Sequence, residues 1–317
     1  MRILSIDSSR GTRLLLVQAT VANDGAKGAG PKAVTGASGP AGAAAAAPHT
    51  GPDAGPEGAG PNAPEGAGLH VSPYTSSDGV APHTSPDIPV NGPGLPAAGA
   101  RVRLEILVAE EQDDPRRHAE SLGPMLRQAL GDPGSPATRL DAVVAATGPA
   151  PFTGLRAGLV TARVVCRARG VPLYGIPSLD AVARTALDEA AAQGAQAGTT
   201  VLVLTDARRK EVYAATYRAR GADDVERLSD LHVLPPEQAL ALADDHDHLV
   251  LAGSGAVLYP SLAHRLGVPV HAPVSGDAAS QVRLALARVG RGEELGSEPL
   301  YLRHADVHVP GTARRAR

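Results

Sequence analysis

An acidic residue closes the first apolar segment of the chain. The run ILSIDSSRG places Asp7 directly before Ser8, Ser9 and Gly11. A turn of this composition can direct its backbone amides at a phosphate. The same residues also suit an Asx turn or a serine turn that closes a hairpin. Asp7, Ser8 and Ser9 are therefore candidates for a phosphate site, with a plain turn as the alternative.

A matching turn lies in the other half of the chain. It begins with Asp206 and runs into three basic residues, Arg208, Arg209 and Lys210. It has no glycine, so we expect its backbone not to approach a triphosphate easily, which argues against ATP hydrolysis. The basic side chains can meet a phosphate or an acidic partner surface, or simply form a solvated charged turn.

A third turn holds Gly253, Ser254 and Gly255, between the apolar segment HLVLAG and a helix. Backbone amides at such a position often face a nucleotide, although a plain tight turn has the same composition. Together the three turns predict a cleft that can bind a nucleotide, with hydrolysis impaired or absent. We expect no catalytic residue and no cofactor. The candidate phosphate-binding residues are Asp7, Ser8, Ser9, Asp206, Arg208, Gly253 and Gly255.

Metal and nucleophile sites have little support in the sequence. His118 and Glu120 begin a predicted helix, but the position four residues after His118, where a second metal ligand would share its face, is Leu122. No G-x-S-x-G motif occurs, and the single cysteine, Cys166, lies within a predicted helix. We therefore expect no metal site and no acyl-enzyme chemistry.

The most distinctive run is AATGPAPFTGLRAGLVTARVVCRARGVPLYGIPSLDAVA, at 145–183. It reads as a buried strand that ends at Gly148, a turn, and a helix that Thr153 can cap. The small residues of this helix permit close approach by another helix. That helix can belong to a partner, or the surface can pack against the chain's own sheet. The small residues are Gly154, Ala157, Gly158 and Ala162.

Two similar halves must position these residues. The first reads as strands at 2–7, 12–21 and 101–109, a helix near 115–130, strand 140–146, a helix at 153–169, strand 172–175 and a helix from Ser178. The second reads as strands at 200–205, 211–218 and 226–233, a helix at Pro235, strand 248–252 and helices near 256–266 and 277–290. Three strands followed by alternating helices and strands predict an α/β fold with a mixed sheet covered by helices in each lobe. This is the architecture of the actin-like ATPase (ASKHA) fold, with two duplicated lobes.

Residues 22–100 differ from the rest in composition. Gly, Pro, Ala, Ser and Thr dominate, and PEGAG and APHT each occur twice. Such a segment offers too little apolar surface to offset its ordering entropy, so we expect a disordered insertion at the tip of a hairpin. The predicted domains are an amino-terminal lobe at 1–21 plus 101–195, a carboxy-terminal lobe at 196–303 and a flexible basic tail at 304–317.

The overall charge and cysteine content exclude several classes of protein. The chain of 317 residues has a formal net charge of -3, so nothing global draws it onto nucleic acid or an anionic membrane. One cysteine excludes a disulfide framework. The first apolar stretch is too short for a signal peptide and no segment is long enough to span a bilayer. We expect a cytoplasmic protein without membrane contact.

The motifs resemble those of the TsaB family, also called YeaZ, whose signature reads much like GPGSFTGLR followed by a helix and a GIPL and SLDA pattern. Here the signature stands as GPAPFTGLR at 148–156, GVPL at 170–173 and SLDA at 178–181. Further similarity lies in ILSIDSS, in His118 with Glu120, in DARRKEVYAATY and in the terminal PLYLR. The resemblance covers everything except the insertion. Ala150 and Pro151 depart from the usual glycine and serine, which puts a phosphate role for that turn in doubt.

The resemblance implies a non-catalytic subunit of the machinery that transfers threonylcarbamoyl to N6 of adenosine 37 in tRNA. Its partners would be the related catalytic subunit TsaD, in a heterodimer, and the ATPase TsaE, which docks on the pair. tRNA would be reached through the complex, and a homodimer through the same face is an alternative. The interface residues that the resemblance implies are His118, Glu120, Leu122, Phe152, Thr153, Leu155 and Gly158.

Two competing functions remain open from the sequence. One is a free-standing ATPase or kinase of the same superfamily, and the other is a peptidase, a label attached to this family. The glycine-free turn weakens the first, and the missing metal and nucleophile patterns weaken the second.

Overall fold

A computed structural model describes residues 1–21, 102–114, 117–131, 139–244, 246, 248–271 and 278–303. The predicted insertion at 22–100 and the predicted tail at 304–317 lie outside these residues. The described residues on either side of the insertion lie together, because Val21 pairs with Val102 at the end of a long hairpin.

The first sheet is a mixed five-stranded sheet with the order β3-β2-β1-β4-β5. β1, β2 and β3 form an antiparallel meander, while β4 and β5 continue from β1 in parallel. The pairing of β2 with β3 confirms the predicted hairpin. The strands are β1 (Arg2–Asp7), β2 (Thr12–Val21), β3 (Val102–Gln112), β4 (Ala142–Ala146) and β5 (Leu173–Ile176).

Three helices belong to this half: α1 (His118–Leu130), α2 (Phe152–Arg169) and α3 (Ser178–Ala192). The prediction that Thr153 caps α2 is wrong, because the helix already begins at Phe152. Its N-cap residue is Pro151, at φ -55° and ψ 134°, and no side chain caps the helix. Proline fixes the extended backbone just before a helix and so sets the start one residue earlier.

The second sheet repeats the first. Its order is β11-β10-β6-β7-β8, with β9 also paired to β7, so β8-β7-β6-β10-β11 matches β3-β2-β1-β4-β5 strand for strand. The strands are β6 (Thr200–Asp206), β7 (Val212–Arg220), β8 (Asp224–Arg227), β9 (His232–Leu234), β10 (Leu249–Ala252) and β11 (Val270–His271). The helices are α4 (Pro236–Ala239), a 3-10 turn (Leu240–Ala243), α5 (Ser254–Leu258), α6 (Pro260–Leu266) and α7 (Ala278–Gly290).

Alternating side chains build three apolar cores on the two sheets. Ile3 of β1 points into a core that α3 and α7 share with both sheets, whereas Leu4 points into a core with α1 and α2. In the same way Val203 of β6 joins the shared core and Leu204 a third core with α5 and α6. Helices α3 and α7 therefore lie between the sheets. This places the hairpin turn after β1 and the one after β6 at the same cleft.

Candidate functional site

A cavity of about 450 Å³ lies where the turns of the two halves meet. Ser9 and Arg10 reach it from the turn after β1, and Asp206 and Arg208 from the turn after β6. The turn before α2 forms another wall, from Pro149 to Gly154, and Ser178 lies at the start of α3. The structure therefore brings the two predicted Asp-containing turns together around one space.

Asp7 is held inside the protein. Its side chain is buried, and its Oδ1 accepts the Ser9 backbone N–H at 2.8 Å while Oδ2 accepts Gln281 Nε2 at 2.9 Å. Burial raises the pKa of this carboxyl, against the opposing effect of these hydrogen bonds. Ser8 also faces inward and donates to the Gly154 carbonyl at 2.7 Å. Of the three predicted residues in this turn, Ser9 is the one that lines the cavity.

The turn at 206–210 has an unusual backbone. Arg208, Arg209 and Lys210 adopt left-handed φ angles of 63°, 54° and 61°, although none is glycine. Asp206 Oδ1 accepts the Arg208 backbone N–H at 2.7 Å, and Asp206 Oδ2 pairs with the Arg208 guanidinium at 3.1 Å. The missing glycine thus does not prevent the left-handed conformation, which three long side chains adopt at a cost in free energy.

Gly253 and Gly255 serve the packing of α5 on β6. A Cβ atom on Gly253 would lie 2.4 Å from the Leu204 carbonyl oxygen, and one on Gly255 would lie 2.9 Å from it. Ser254, between them, lines the cavity and accepts the Asp206 backbone N–H at 2.9 Å. The turn after β10 therefore reaches the cavity through its serine.

Two hydroxyl groups that the sequence did not single out complete the lining. Ser178 Oγ and Thr205 Oγ1 are buried, have no hydrogen-bond partner and belong to residues that line the cavity. Buried hydroxyls are normally paired, so these two are available to a polar ligand. Arg10 and Arg208 line the same cavity, as do Asp113 and Asp206, and Arg208 is paired with Asp206. The cavity can therefore bind a small polar molecule through hydroxyl, guanidinium and carboxyl groups.

The predicted interface residues of α1 fall into different environments. The helix begins at His118, whose side chain lies outside the described part of the chain. Glu120 is exposed and pairs with Arg117 at 3.3 Å. Leu122 is only 2% exposed and packs in the core with α2. Direct contact with a partner is therefore open to Glu120 but not to Leu122.

The small-residue face of α2 packs inside the chain. Gly154, Gly158 and Ala162 are buried, as is Leu155. A Cβ atom on Gly158 would lie 2.0 Å from Ser8 Oγ, so the first hairpin turn occupies the space that the missing side chain leaves. Of the two readings that the sequence left open for this face, the structure favours packing against the chain's own sheet. Leu155 and Gly158 are accordingly not available to a partner.

The opposite face of α2 exposes apolar side chains. Phe152, Val160 and Val164 are 39%, 58% and 61% exposed, and Thr153 is exposed beside Phe152. Residues four apart lie on one face of a helix, which puts these three and Arg156 in one row. We call Phe152, Arg156, Val160 and Val164 the α2 stripe. Its signal in the sequence was this spacing of four, which the small residues obscured.

The segment after α7 crosses the molecule and covers the start of the stripe. Tyr301 stacks on Phe152 with ring centroids 4.4 Å apart, and Arg156 Nε donates to the Tyr301 hydroxyl at 2.9 Å. Two residues later, Arg303 pairs with Glu211 and donates to the Arg208 carbonyl at 3.4 Å. We call residues 298–303 the strap, because they connect α2 with the turn after β6.

Other classes of site find no counterpart in the described residues. Burial raises the pKa of the Cys166 thiol to about 12, which disfavours a nucleophilic thiolate. Within the described part of the chain, no three His, Cys, Asp or Glu side chains are grouped to hold a metal ion. Nor does any helix there combine the length and apolar character needed to cross a membrane.

Comparison with known proteins gives consistent matches. The family model described as TsaD, tRNA N6-adenosine threonylcarbamoyltransferase, matches residues 111–271. An uncharacterized protein of Mycobacterium tuberculosis is 36% identical over 212 residues, 66% of this chain and 87% of that protein. The tRNA threonylcarbamoyladenosine biosynthesis protein TsaB of Escherichia coli is 27% identical over 206 residues, 60% of this chain and 82% of that one.

Among solved structures, YeaZ from Pseudomonas aeruginosa superposes with a TM-score of 0.52 at 19% identity, covering 95% of this chain and 99% of that chain. This likeness concerns the fold. Together with the repeated strand order, it confirms the predicted α/β class of two actin-like lobes.

Proposed function

We propose that this chain, which belongs to the family of tRNA N6-adenosine threonylcarbamoyltransferase (TsaD) proteins and within it to the TsaB (YeaZ) type, is the non-catalytic subunit that binds and activates TsaD. The complex would transfer threonylcarbamoyl to N6 of adenosine 37 in tRNA. The family match agrees with the resemblance carried by the GPAPFTGLR and SLDA motifs. The observation that supports an accessory role most directly is the exposed α2 stripe.

The α2 stripe has the character of a helical docking surface. Phe152, Val160 and Val164 expose apolar surface to water side by side on one helix face. Exposed apolar residues without a binding role are usually scattered singly over a protein surface. Arg163 and Arg167 flank the row and are exposed. An apolar row with a charged rim fits an amphipathic helix of a partner. Helix α1 packs beside α2, and its Glu120 is exposed.

We propose TsaD as the occupant of this surface, with TsaE docking on the pair and tRNA bound through the complex. A second copy of the chain could use the same helices when TsaD is absent. Since the substrate would be tRNA, we propose that the complex acts in the cytoplasm.

Two features of the structure support a non-catalytic role for this subunit. Leu122 stands one helical turn after His118 and is buried, so α1 presents no second ligand to a metal at that position. The Asp7 carboxylate accepts hydrogen bonds from Ser9 and Gln281 inside the fold, and is thereby engaged away from the cavity. The Asp206 carboxylate does line the cavity, but it is engaged with the backbone and the guanidinium group of Arg208.

A binding experiment with a matched control tests this proposal. We expect the purified chain to form a complex with TsaD of the same organism in size-exclusion chromatography and to stimulate tRNA modification. Val160→Asp should weaken that complex by at least about tenfold, because a carboxylate in an apolar interface loses its hydration. Val257→Asp is the control, since Val257 on α5 is 50% exposed, close to the 58% of Val160. Equal effects of both substitutions, or no complex with the unaltered chain, would contradict the proposal.

A second function, a free-standing ATPase or kinase, is favoured by the cavity itself. The unpartnered hydroxyls of Ser178 and Thr205 and the cations of Arg10 and Arg208 suit a nucleotide phosphate. Turnover of ATP by the isolated chain, abolished by Arg208→Gln, would support this function. Absence of turnover at micromolar enzyme together with stimulation of TsaD would reject it.

A further inference from the structure

The strand β3 forms one edge of the first sheet. Within the described residues it pairs with β2 alone, along its whole length from Val102 to Gln112. Its other side therefore presents backbone N–H and C=O groups that face no strand in the described part of the chain. An edge of this kind can accept a further strand, and proteins usually protect long edges from such pairing.

Two apolar side chains are exposed near the middle of β3. Ile106 is 58% exposed and Leu107 is 41% exposed. The register against β2 shifts at this point: Leu16 pairs with Val108, and the next residue, Val17, pairs with Ile106. Leu107 is thus the extra residue of a β-bulge. Adjacent exposed apolar residues on an edge strand favour contact with another chain.

The bulge brings two opposite charges of β3 onto one face of the sheet. Glu110 pairs with Leu14 and Arg103 pairs with Thr20. Because Leu14 and Thr20 are an even number of residues apart in β2, their partners in β3 share a face. Arg103 and Glu110 are an odd number of residues apart, so a strand without the bulge would place them on opposite faces. The β3 residues of this face are Arg103, Glu105, Val108 and Glu110.

We infer that two copies of this chain pair through their β3 strands, antiparallel about a two-fold axis that passes between Ile106 and Leu107. In this register Arg103 of one copy lies opposite Glu110 of the second copy, and the axis repeats the pair. The exposed Ile106 and Leu107 side chains of both copies meet at the axis and leave water there. The two sheets become one continuous sheet. This inference goes beyond the proposed function and does not rest on it.

The order of the charges favours a second copy over an unrelated strand. A strand that pairs with itself needs opposite charges at equal distances from one central point. The midpoint between Arg103 and Glu110 falls between Ile106 and Leu107, which is also the place of the bulge and of the exposed apolar pair. In addition, Gln128 of α1 donates to one carboxylate oxygen of Glu110 and so holds this side chain in place.

Pairing through β3 leaves the α2 stripe uncovered. Helix α1 packs on β2 and β3, whereas α2 packs on β1 and β4. In the sheet order β3-β2-β1-β4-β5, the strand β2 separates the β3 edge from the strands under α2. The pairing is therefore distinct from a dimer through the helices, and it is compatible with a partner on α2.

Sedimentation of the isolated full chain over a range of concentrations tests the inference. We expect a reversible equilibrium between monomer and dimer. Arg103→Glu should weaken the dimer by at least about tenfold, because two attractive cross-strand pairs become repulsive. The double variant Arg103→Glu, Glu110→Arg restores opposite charges in reversed order. It should return the affinity to within about threefold of that of the unaltered chain.

Two further variants separate this register from an effect of net charge. Arg265→Glu makes the same charge change on α6, where the side chain is 60% exposed, and should leave the dimer within about twofold. Glu105→Gln should tighten the dimer, because the two Glu105 carboxylates lie diagonally across the axis and repel each other. Amide hydrogen exchange in β3 should also slow as the concentration rises.

The remaining outcomes decide against the inference. A chain that stays monomeric up to about 0.1 mM overturns it. Slow exchange along β3 in that monomer would mean that another segment of the chain covers the edge. A dimer that Val160→Asp dissociates and Arg103→Glu does not would use the helices, and a loss that the double variant does not restore would not come from the Arg103–Glu110 pair. Either result overturns the inference.

Binding of TsaD distinguishes failure of this inference from failure of the proposed function. Arg103→Glu should bind TsaD as the unaltered chain does. If the unaltered chain dimerises through β3 but forms no complex with TsaD, the proposed function fails and the inference stands. If Arg103→Glu loses both the dimer and TsaD, the edge belongs to the TsaD interface and the inference is overturned.

Discussion

Ser8 occupies the space that the absent side chain of Gly158 leaves on α2. A Cβ atom on Gly158 would lie 2.0 Å from Ser8 Oγ and 3.0 Å from Ser8 Cβ, and Ser8 also donates a hydrogen bond of 2.7 Å to the Gly154 carbonyl. The turn after β1 and the start of α2 are thus one packed unit. That unit forms a wall of the cavity on one side and supports the α2 stripe on the other.

Alanine at position 158 should destabilise the protein. The new methyl group must displace Ser8, and rotation of its hydroxyl does not remove the 3.0 Å contact with its Cβ. We expect a loss of about 1–3 kcal/mol in the free energy of unfolding, measured by urea denaturation. The control is Gly123→Ala in α1, where nothing lies within 4 Å of the added Cβ. That variant should gain about 0.5–1 kcal/mol, and a loss at Gly123 equal to that at Gly158 would contradict the packing argument.

Local sequence pattern was enough to predict most elements of the fold. Strong alternation or branched apolar residues identified β1, β2, β6 and β7, and the repeated order of elements identified the duplicated lobes. The segment at 226–233 was predicted as one strand but forms β8 and β9. Thr216 explains the break, because its carbonyl accepts the Leu228 N–H at 2.8 Å and its N–H donates to Ser229 Oγ at 3.0 Å. These bonds cross between strands and leave no signal in the pattern along the chain.

The site was predicted in outline, and its details depended on distant contacts. The Asp-containing turns do meet at one cavity, but Asp7 turns inward because Gln281, far away in sequence, binds its carboxylate. Small residues on α2 fit either a partner or the chain's own sheet, and Ser8 decides between them. The left-handed backbone of Arg208, Arg209 and Lys210 contains no glycine or asparagine that would reveal it in the sequence. Sequence alone therefore predicted the place of the cavity better than its polar lining.

A buried carboxylate joins α7 to the first residue of β8, and its removal should lower the stability of the protein. Asp224 is 1% exposed, and its Oδ1 accepts from Arg288 Nε at 2.9 Å while Oδ2 bonds Arg291. Asp224→Ala would remove one carboxylate from two partly buried guanidinium groups, which would keep Asp180 and Glu293 as their other partners. We expect a loss of about 2–4 kcal/mol by thermal or urea unfolding.

The control for this variant is Glu226, which lies two residues after Asp224 in β8. Glu226 pairs with Arg218 at 2.9 Å, but both side chains are about half exposed. Glu226→Ala should change the free energy of unfolding by no more than about 0.5 kcal/mol. A similar loss in both variants would mean that burial of Asp224 is not what gives its ion pairs their importance.

Tyr301 should hold the strap on α2 through its ring more than through its hydroxyl. The ring stacks on Phe152 at 4.4 Å, and the hydroxyl accepts from Arg156 at an exposed site. Tyr301→Ala should lose about 0.5–1.5 kcal/mol of stacking free energy, and Tyr301→Phe should lose less. Hydrogen exchange at the Leu300 amide, which donates to the Thr147 carbonyl at 2.8 Å, reports the release of the strap. Faster exchange in Tyr301→Phe than in Tyr301→Ala would contradict the prediction that the ring contributes more than the hydroxyl.

Asp7 should make the stability of the protein fall as pH rises above the acidic range. Burial raises the pKa of its carboxyl above the ordinary value for aspartate, despite the hydrogen bonds from Ser9 and Gln281. Between the unfolded and folded pKa values, the folded state binds more protons than the unfolded state. The stability that this group contributes is therefore fully present below the unfolded pKa and is lost as pH rises through the folded pKa.

The variant Asp7→Asn removes this ionisation. Its amide oxygen can accept the Ser9 N–H, and its amide nitrogen can donate to Gln281 Oε1 after that side chain flips. We therefore expect Asp7→Asn to be more stable than the unaltered chain at neutral pH, with the difference shrinking toward pH values near the unfolded pKa. Urea midpoints across the pH range measure this, and Asp230→Asn, which changes the same charge at an exposed position, is the control. An Asp7→Asn variant that is less stable at neutral pH, with no convergence in acid, would show that the carboxylate stabilises this turn through its hydrogen bonds by more than its burial costs.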